Sequence, residues 1–233
     1  MNLYSKSYEE KLYPFQDGIL KIVSESNLPF YLTGGTALSR YYFQHRYSDD
    51  LDLFVNADPN YKNYIKLLIA ALEVKENEGA LTLHKNKLIT LEDYTQVILS
   101  KNEATLKIDL VNDIGAHFGE FPYHKILGKI DGWRNILSNK ISALFRYEIK
   151  DYVDIWVIAK NESFCWKEMI LEAKEKEAAV DPIEIFNLFR SFPFDNLNLI
   201  KWIKDFNKEK IDTDFNTIAE DIFYGRENSL CTK

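Results

Sequence analysis

The stretch Ser48-Asp-Asp-Leu-Asp-Leu-Phe-Val55 indicates the fold more clearly than any other part of the chain. From Asp50 onward its residues alternate in the period-two pattern of a β-strand, which places Asp50 and Asp52 on one face, about 6–7 Å apart at the backbone. Two such carboxylates repel each other unless a cation lies between them. A bound Mg²⁺ would explain the pair. The alternative is an exposed edge strand whose acids are simply solvated.

On the amino-terminal side of this stretch, a short apolar run ends in a pair of glycines. Residues 29–33 have the character of a buried strand, Gly34-Gly35-Thr36 forms its end, and helical spacing resumes from Thr36 to Phe43. Adjacent glycines let the backbone approach a ligand closely, and a following helix offers free N–H groups to phosphates. The alternative is a turn with a structural role only.

Toward the carboxyl terminus, a third carboxylate lies in a second alternating segment, Lys107-Ile-Asp-Leu-Val111. If this strand is adjacent to the first, Asp109 joins Asp50 and Asp52. Three carboxylates from two strands, beside a glycine turn that faces phosphates, are typical of a two-metal phosphoryl-transfer site.

The remaining pattern predicts an α/β (α+β) front half with a mixed or antiparallel sheet, followed by an all-α rear half. We predict helices from Tyr8 to Ser26 and from Asp58 to Glu73, with Asp58 as N-cap and Pro59 as first helical residue. Further strands are predicted at 81–84, 88–91, 95–99 and 105–111, and none after Gly115. The rear helices are predicted at 133–147, 152–160, 166–177, 182–192, 197–207 and 215–224. We interpret 1–115 as one domain, 116–132 as a linker and 133–233 as a helical domain.

Composition excludes several classes of protein. The chain has 233 residues, 46% of them hydrophobic, and a net charge of −7. These values are typical of a globular protein with a real core. Two cysteines cannot form a disulfide framework, and a buried Cys165 would fit a reducing compartment. No apolar run approaches the ~18 residues of a membrane span. We therefore expect a cytoplasmic enzyme or binding protein without membrane contact.

The charge is unevenly distributed. Residues 123–150 contain six basic and two acidic side chains, a net charge of +4. The acidic stretch at 48–52 would suit a metal ion and the basic stretch at 123–150 a polyanion, if the metal ion and the polyanion come together in one site. A nucleic acid is therefore compatible with the negative overall charge.

These motifs resemble a known family. The run Leu32-Thr-Gly-Gly-Thr-Ala-Leu38, then His45-Arg46, then Ser48 to Phe54, resembles the minimal nucleotidyltransferases of the DNA polymerase beta superfamily. Within them the chain is most similar to the AbiEii/AbiGii-type toxins of bacterial toxin–antitoxin and abortive-infection systems. The segment Asn139 to Asp154 is similar to that family's second-domain signature. The resemblance spans roughly residues 28–160, and Thr36 and Lys150 depart from the usual serine and arginine.

The resemblance implies roles for particular residues. Asp50, Asp52 and Asp109 would bind Mg²⁺ or Mn²⁺ and, with Lys140 and Asp151, form the catalytic set. It also implies that NTP is a substrate, that the acceptor is an RNA such as the 3′ end of tRNA, and that a cognate antitoxin is a partner. The nucleotide-binding residues would be Gly34, Gly35, Thr36, Arg46, Ser48 and Arg146.

The spacing of Lys140 and Asp151 needs its own interpretation. On one unbroken helix these residues would lie about 16 Å apart. A break at 148–150 would instead place Asp151 in the first turn of a new helix, where carboxylates are favoured. We prefer the break, which leaves Lys140 to bind triphosphate and Arg146 to bind phosphate or brace Asp151. The alternative for Asp151 and Asp154 is a structural salt bridge, and Asp154 fits it better.

Two functions follow from these motifs. The first is an enzyme that transfers a nucleoside monophosphate from an NTP to an acceptor hydroxyl. The second is a catalytically retired nucleotidyltransferase fold that only binds a nucleotide or a protein. Retention of all three carboxylates favours the enzyme, because clustered acids are costly without a metal ion.

Overall fold

The computed structural model describes residues 4–231 and divides the chain into two compact units. The first unit comprises the chain up to Gly115 together with Glu120–Asp131. The second comprises Ala116–Gly119 together with the chain from Gly132 onward. The first unit has an α/β fold and the second is all-α, as the sequence predicts.

The first unit contains a mixed sheet, which in the described part of the chain has six strands. The strands are β1 (Tyr31–Thr33), β2 (Leu51–Asn56), β3 (Thr82–Leu83), β4 (Ile89–Thr90), β5 (Tyr94–Lys101) and β6 (Ala104–Asp113). Their order is β1-β2-β6-β5-β3, with β4 paired to β5. Among these six strands, β2 and β6 are parallel and the other pairs are antiparallel.

The alternation of the two central strands separates a core face from a more polar face. Leu51 and Leu53 of β2, and Ile108 of β6, are essentially inaccessible to solvent. The residues between them, including Asp52 and Asp109, are only partly buried. Burial of the aliphatic face therefore fixes the register, because a one-residue slip would send these leucines to the polar face.

The helices of the first unit largely follow the predicted pattern. The first predicted helix comprises α1 (Ser5–Ser7), a π-helical stretch (Tyr8–Leu12) and α2 (Tyr13–Glu25). After the glycine pair, α3 (Gly34–Ala37) continues as π-helix to Phe43.

The prediction that Asp58 caps a helix is wrong. The helix α4 (Tyr61–Asn77) begins later and ends beyond Glu73, and its N-cap is Asn60. The Asp58 carboxylate instead accepts a hydrogen bond from the Asn60 backbone N–H at 2.8 Å. The Asp-Pro pair thus forms the turn before the helix.

The second unit consists of helices around an aromatic core. Trp166, Phe189 and Phe215 are almost completely buried, and edge-to-face ring contacts such as that of Phe189 with Phe215 stabilise the core. The α-helices are α5 (Trp133–Ala143), α6 (Ile149–Asn161), α7 (Trp166–Lys176), α8 (Pro182–Arg190) and α9 (Lys208–Tyr224).

The predicted helix at 197–207 is wrong. A short 3₁₀ segment (Phe194–Leu199) occupies the start of this region, and the next helix, α9, begins at Lys208, earlier than the predicted residue 215. The Asn207 side chain accepts a hydrogen bond from the Lys210 N–H. This N-cap contact defines the true start of α9.

The prediction that no strand follows Gly115 is also wrong. A short hairpin joins β7 (Tyr123–His124) to β8 (Gly128–Lys129). The His124 ring accepts hydrogen bonds from the N–H groups of Ile126 and Leu127, both at 3.2 Å. Gly128 has a φ of +75°, which closes the turn. The hairpin is too short for an alternating pattern to reveal it.

Two further expectations concern single features. Cys165, which was expected to be buried, is partly accessible to solvent, and it and Cys231 are both free thiols. Within residues 4–231, the structure contains no helix of the length and apolar character needed to span a lipid bilayer.

Candidate active site

The parallel pairing of β2 with β6 brings the three predicted carboxylates together. Asp52 and Asp109 are register partners on these adjacent strands. Asp50 directly precedes β2, because the strand begins at Leu51, one residue later than predicted. The polar face of the sheet therefore presents carboxylates from two strands, as the prediction of a shared site requires.

A lysine that the sequence analysis did not select lies between two of these carboxylates. The Nζ atom of Lys107 is 3.1 Å from Oδ2 of Asp50 and 2.7 Å from Oδ2 of Asp109. Partial burial alone would lower the pKa of Lys107, but the hydrogen bond to Asp109 and the charge of Asp50 outweigh it and raise the pKa. The ammonium therefore neutralises part of the acidic cluster.

The other oxygen of Asp109 has its own partner. The Tyr94 hydroxyl donates a hydrogen bond to Oδ1 of Asp109 at 2.9 Å. Burial, with the hydrogen bond to this carboxylate and its charge, raises the pKa of Tyr94 to about 12. The phenol is thus a neutral donor that orients the Asp109 carboxylate.

The glycine pair packs directly against this cluster. Gly34 has a φ of +67°, and a Cβ atom there would collide with the carboxylate of Asp52. A Cβ at Gly35 would collide with the guanidinium of Arg46 and lie 3.1 Å from Oγ of Ser48. The close approach of backbone to side chains explains why both positions are glycine.

The other predicted nucleotide-binding residues of the first unit brace the loop before β2. The buried Thr36 hydroxyl lies 2.9 Å from Oγ of Ser48 and donates to the backbone carbonyl of Asp50. The Arg46 guanidinium donates to the Tyr47 carbonyl at 3.1 Å, and this side chain is also buried. These groups hold the Asp50 loop beneath the glycine turn.

A second residue missed by the sequence analysis supports the same loop. Gln16 of α2 is fully buried. Its amide nitrogen donates to the backbone carbonyls of Ser48 and Asp49 at 3.3 and 3.1 Å, and its oxygen accepts from Arg40 at 3.3 Å. The signal available in the sequence was a glutamine among apolar residues on the inner face of a helix.

The three carboxylates have the donor chemistry for a hard divalent cation, because Mg²⁺ prefers carboxylate oxygens. Among residues 4–231, however, no three His, Cys, Asp or Glu side chains are already arranged around a metal position. The ammonium of Lys107 lies between Asp50 and Asp109 instead. The residues therefore fit a metal ion by chemistry, provided that Lys107 moves away.

The remaining predicted residues form a separate cluster in the second unit. Tyr147, in the left-handed conformation, ends the 3₁₀ turn after α5, and α6 begins at Ile149, so the predicted helix break exists. Lys140 consequently lies 2.5 Å from Asp151 and 2.8 Å from Asp154, and all three are buried. Exposed Arg146 lies 3.4 Å from Asp151. In this structure both aspartates belong to an ion cluster that joins two helices.

The mixed sheet, the glycine turn beside Asp52 and the carboxylate pair on β2 and β6 define a class, the proteins with a nucleotidyltransferase fold. The profile of the family described as "Nucleotidyl transferase AbiEii toxin, Type IV TA system" matches residues 19–231. The chain belongs to this family of nucleotidyl transferase toxins.

Comparison with solved structures supports the fold. JHP933 from Helicobacter pylori superposes with a TM-score of 0.58 and 17% identity, covering 91% of this chain and 90% of that one. A structure of an H. pylori protein assigned as a nucleotidyltransferase gives a TM-score of 0.57 and 18% identity, covering 91% and 94%. At such identities the likeness concerns the fold alone. No curated protein sequence matches this chain.

Proposed function

We propose that this protein transfers a nucleoside monophosphate from an NTP to an acceptor hydroxyl and releases pyrophosphate, with Mg²⁺ or Mn²⁺ as cofactor. The observation that supports this most strongly is the pairing of Asp52 with Asp109 on adjacent parallel strands, against a glycine turn that approaches Asp52 closely. We assign catalysis to the domain at 1–115 and a helical domain to 133–233, whereas the segment 116–132, predicted as a linker, is divided between the two compact units.

Each residue of the site has a part in the proposed reaction. Asp50, Asp52 and Asp109 would hold the metal ions, which would supply the positive charge that activates the hydroxyl and stabilises the triphosphate. Asp109 helps to remove the proton of the attacking hydroxyl, whose oxygen bonds to the α-phosphorus as the bond to pyrophosphate breaks. Gly34 and Gly35 let the backbone approach the phosphates.

The other predicted residues have supporting parts. Thr36, Arg46 and Ser48 hold the glycine turn and the Asp50 loop in register, through the contacts that they make in the structure. In the ion cluster of the second unit, Asp151 positions Lys140 and Arg146, and of these two only Arg146 is exposed and can supply positive charge to a phosphate.

We further propose that the acceptor is RNA, with the 3′ end of tRNA as the first candidate, and that the reaction takes place in the cytoplasm. The exposed basic residues of the 123–150 window support a polyanionic acceptor. Membership of a toxin family of type IV systems supports a cognate antitoxin as partner.

The test is to incubate the purified protein with Mg²⁺, total tRNA and each α-³²P-labelled NTP in turn, and to follow label in RNA and release of pyrophosphate. We expect transfer from at least one NTP and its loss, by at least about a hundredfold, in Asp52→Asn. Asp205→Asn, which removes an exposed carboxylate of the second unit, is the matched control and should retain activity. Absence of transfer from all four NTPs would contradict the proposal.

One observation favours the second function, a retired fold that only binds a nucleotide or protein. Because Lys107 already supplies a cation between Asp50 and Asp109, the carboxylates do not need a metal ion merely to be tolerated. Retention of the three acids is thus weaker support for catalysis than the sequence alone suggests. Binding of labelled NTP without transfer or pyrophosphate release in the same assay would favour this second function.

A further inference from the structure

Lys107 and the acidic cluster share one face of the sheet. Lys107 and Asp109 are two residues apart on β6, so their side chains point to the same face. Leu51 pairs with Ile108 across the parallel strands, which makes the preceding residues, Asp50 and Lys107, cross-strand neighbours. The strand geometry itself therefore places this ammonium among the carboxylates.

The ammonium uses oxygens that a metal ion would need. Its contacts are Oδ2 of Asp50 at 3.1 Å and Oδ2 of Asp109 at 2.7 Å. A divalent cation held by these two aspartates would compete with the ammonium for their negative charge, because two cations cannot share so small a space without strong repulsion. Metal ion and Lys107 are thus competitors for one position.

Lys107 is also able to leave. Its side chain is 35% exposed, and lysine has a flexible four-carbon stem that ends in a compact charge. Departure of the ammonium therefore requires only rotation about the bonds of a partly exposed side chain, not rearrangement of β6.

We propose that Lys107 is an internal counter-ion that holds Asp50 and Asp109 in place before metal binds, and is displaced when the metal ion binds. This positioning residue sets how tightly the site takes a divalent cation. The inference rests on the proposed function only in treating Asp50, Asp52 and Asp109 as the metal ligands.

The test is an equilibrium titration of the full-length protein with Mn²⁺ in the absence of nucleotide, with free Mn²⁺ measured by electron paramagnetic resonance. Lys107→Met should bind Mn²⁺ about tenfold more tightly than the wild type, equivalent to ~1.4 kcal/mol. Lys107→Arg keeps the charge and should stay within about threefold of the wild type. Lys66→Met removes an exposed lysine of α4, which contributes none of the three carboxylates, and should leave the affinity unchanged.

Thermal denaturation provides a second readout. Without metal, Lys107→Met should melt at a lower temperature than the wild type, because two carboxylates lose their counter-ion, and saturating Mn²⁺ should raise its melting temperature by more than that of the wild type. Unchanged or weaker Mn²⁺ binding in Lys107→Met would overturn the proposal.

Failure of this proposal is distinguishable from failure of the proposed function. If Asp109→Asn binds Mn²⁺ as well as the wild type does, the metal lies elsewhere and the counter-ion proposal is wrong. If Lys107→Met binds Mn²⁺ more tightly while no NTP supports transfer, the counter-ion proposal holds and the proposed enzymatic function is wrong.

Discussion

At the scale of the residue, Gly34 shows how backbone conformation and site geometry depend on one position. Its φ of +67° favours glycine, and its approach to Asp52 leaves no room for a side chain. We expect Gly34→Ala to reduce nucleotidyl transfer by at least about a hundredfold, because the added methyl group must displace the carboxylate of Asp52. Left-handed strain should also lower the free energy of unfolding by roughly 1–3 kcal/mol.

The chain offers a matched control for this substitution. Gly79 has a similar φ of +73°, but a Cβ there would meet no atom within 4 Å. Gly79→Ala should therefore cost a similar free energy of unfolding, measured in urea, and leave transfer at the wild-type rate. Equal activities of the two variants would show that the contact with Asp52 has no catalytic consequence.

Tyr94 carries a prediction about pH. Its pKa is raised to about 12, because burial and the hydrogen bond to Asp109 favour the neutral phenol. A group whose pKa is higher in the folded state stabilises the fold fully below its unfolded pKa, about 10 for tyrosine, and loses this contribution as the pH rises toward 12. We expect the free energy of unfolding to fall less between pH 9 and 11 in Tyr94→Phe than in the wild type.

The comparison requires a tyrosine outside the site. Tyr123 is 71% exposed, so Tyr123→Phe should reproduce the wild-type slope of stability against pH. If Tyr94→Phe also reproduces it, the phenol does not donate to Asp109 in solution.

At the scale of the element, the ion cluster of Lys140 determines how α5 and α6 meet. Its ammonium is paired with Asp151 and Asp154, both of which are completely buried. Removing one partner of a buried ion pair leaves uncompensated charge. We expect Lys140→Met to lower the free energy of unfolding by about 3–5 kcal/mol, measured in urea.

A surface pair in the same unit provides the comparison. Lys208 lies close to Asp195, and both side chains are well exposed. Lys208→Met should therefore cost less than about 1 kcal/mol. If Lys140→Met costs as little, the buried cluster is not structural, and any accompanying loss of transfer would then indicate contact with the triphosphate.

The elements also show what the sequence could predict. Alternation was sufficient to identify β2 and β6, because their aliphatic faces are buried. The hairpin of β5 and β6 turns at Asn102-Glu103, so its register follows by counting and places Gln96 opposite Asp109. The same count places Tyr94 diagonally across from Asp109, within reach of its carboxylate. The position of Lys107 was predictable too, because it lies two residues before Asp109 on the same strand and therefore on the same face.

Other features depended on contacts distant in the sequence. The parallel pairing of β2 with β6 joins residues more than fifty positions apart, and no local pattern selects it over other sheet orders. The role of Gln16 was equally unpredictable, because its amide donates a hydrogen bond to a backbone carbonyl 32 residues later in the sequence. The break before α6, in contrast, was predictable, because an unbroken helix would leave Lys140 and Asp151 too far apart to pair.

At the scale of the whole molecule, the basic stretch 123–150 is less uniform than its net charge of +4 suggests. Lys125 and Lys129 belong to the first unit, whereas its other basic residues belong to the second. Lys140 is buried, and Arg134 is paired with Glu172. The charge that can meet a polyanion is therefore smaller than the sequence count.

The exposed lysines of the β7–β8 hairpin yield the prediction for RNA binding. Lys125 and Lys129 are both exposed, and each phosphate contact contributes to the salt dependence of the affinity through release of counter-ions. In fluorescence anisotropy titrations with tRNA at increasing salt, replacing both lysines by glutamine should weaken binding. The same change should reduce the slope of log K against log salt by about one for each lost contact. Lys66→Gln removes an exposed lysine of α4 and should leave the slope unchanged, whereas an unchanged slope in the double variant would exclude the hairpin from the RNA-binding surface.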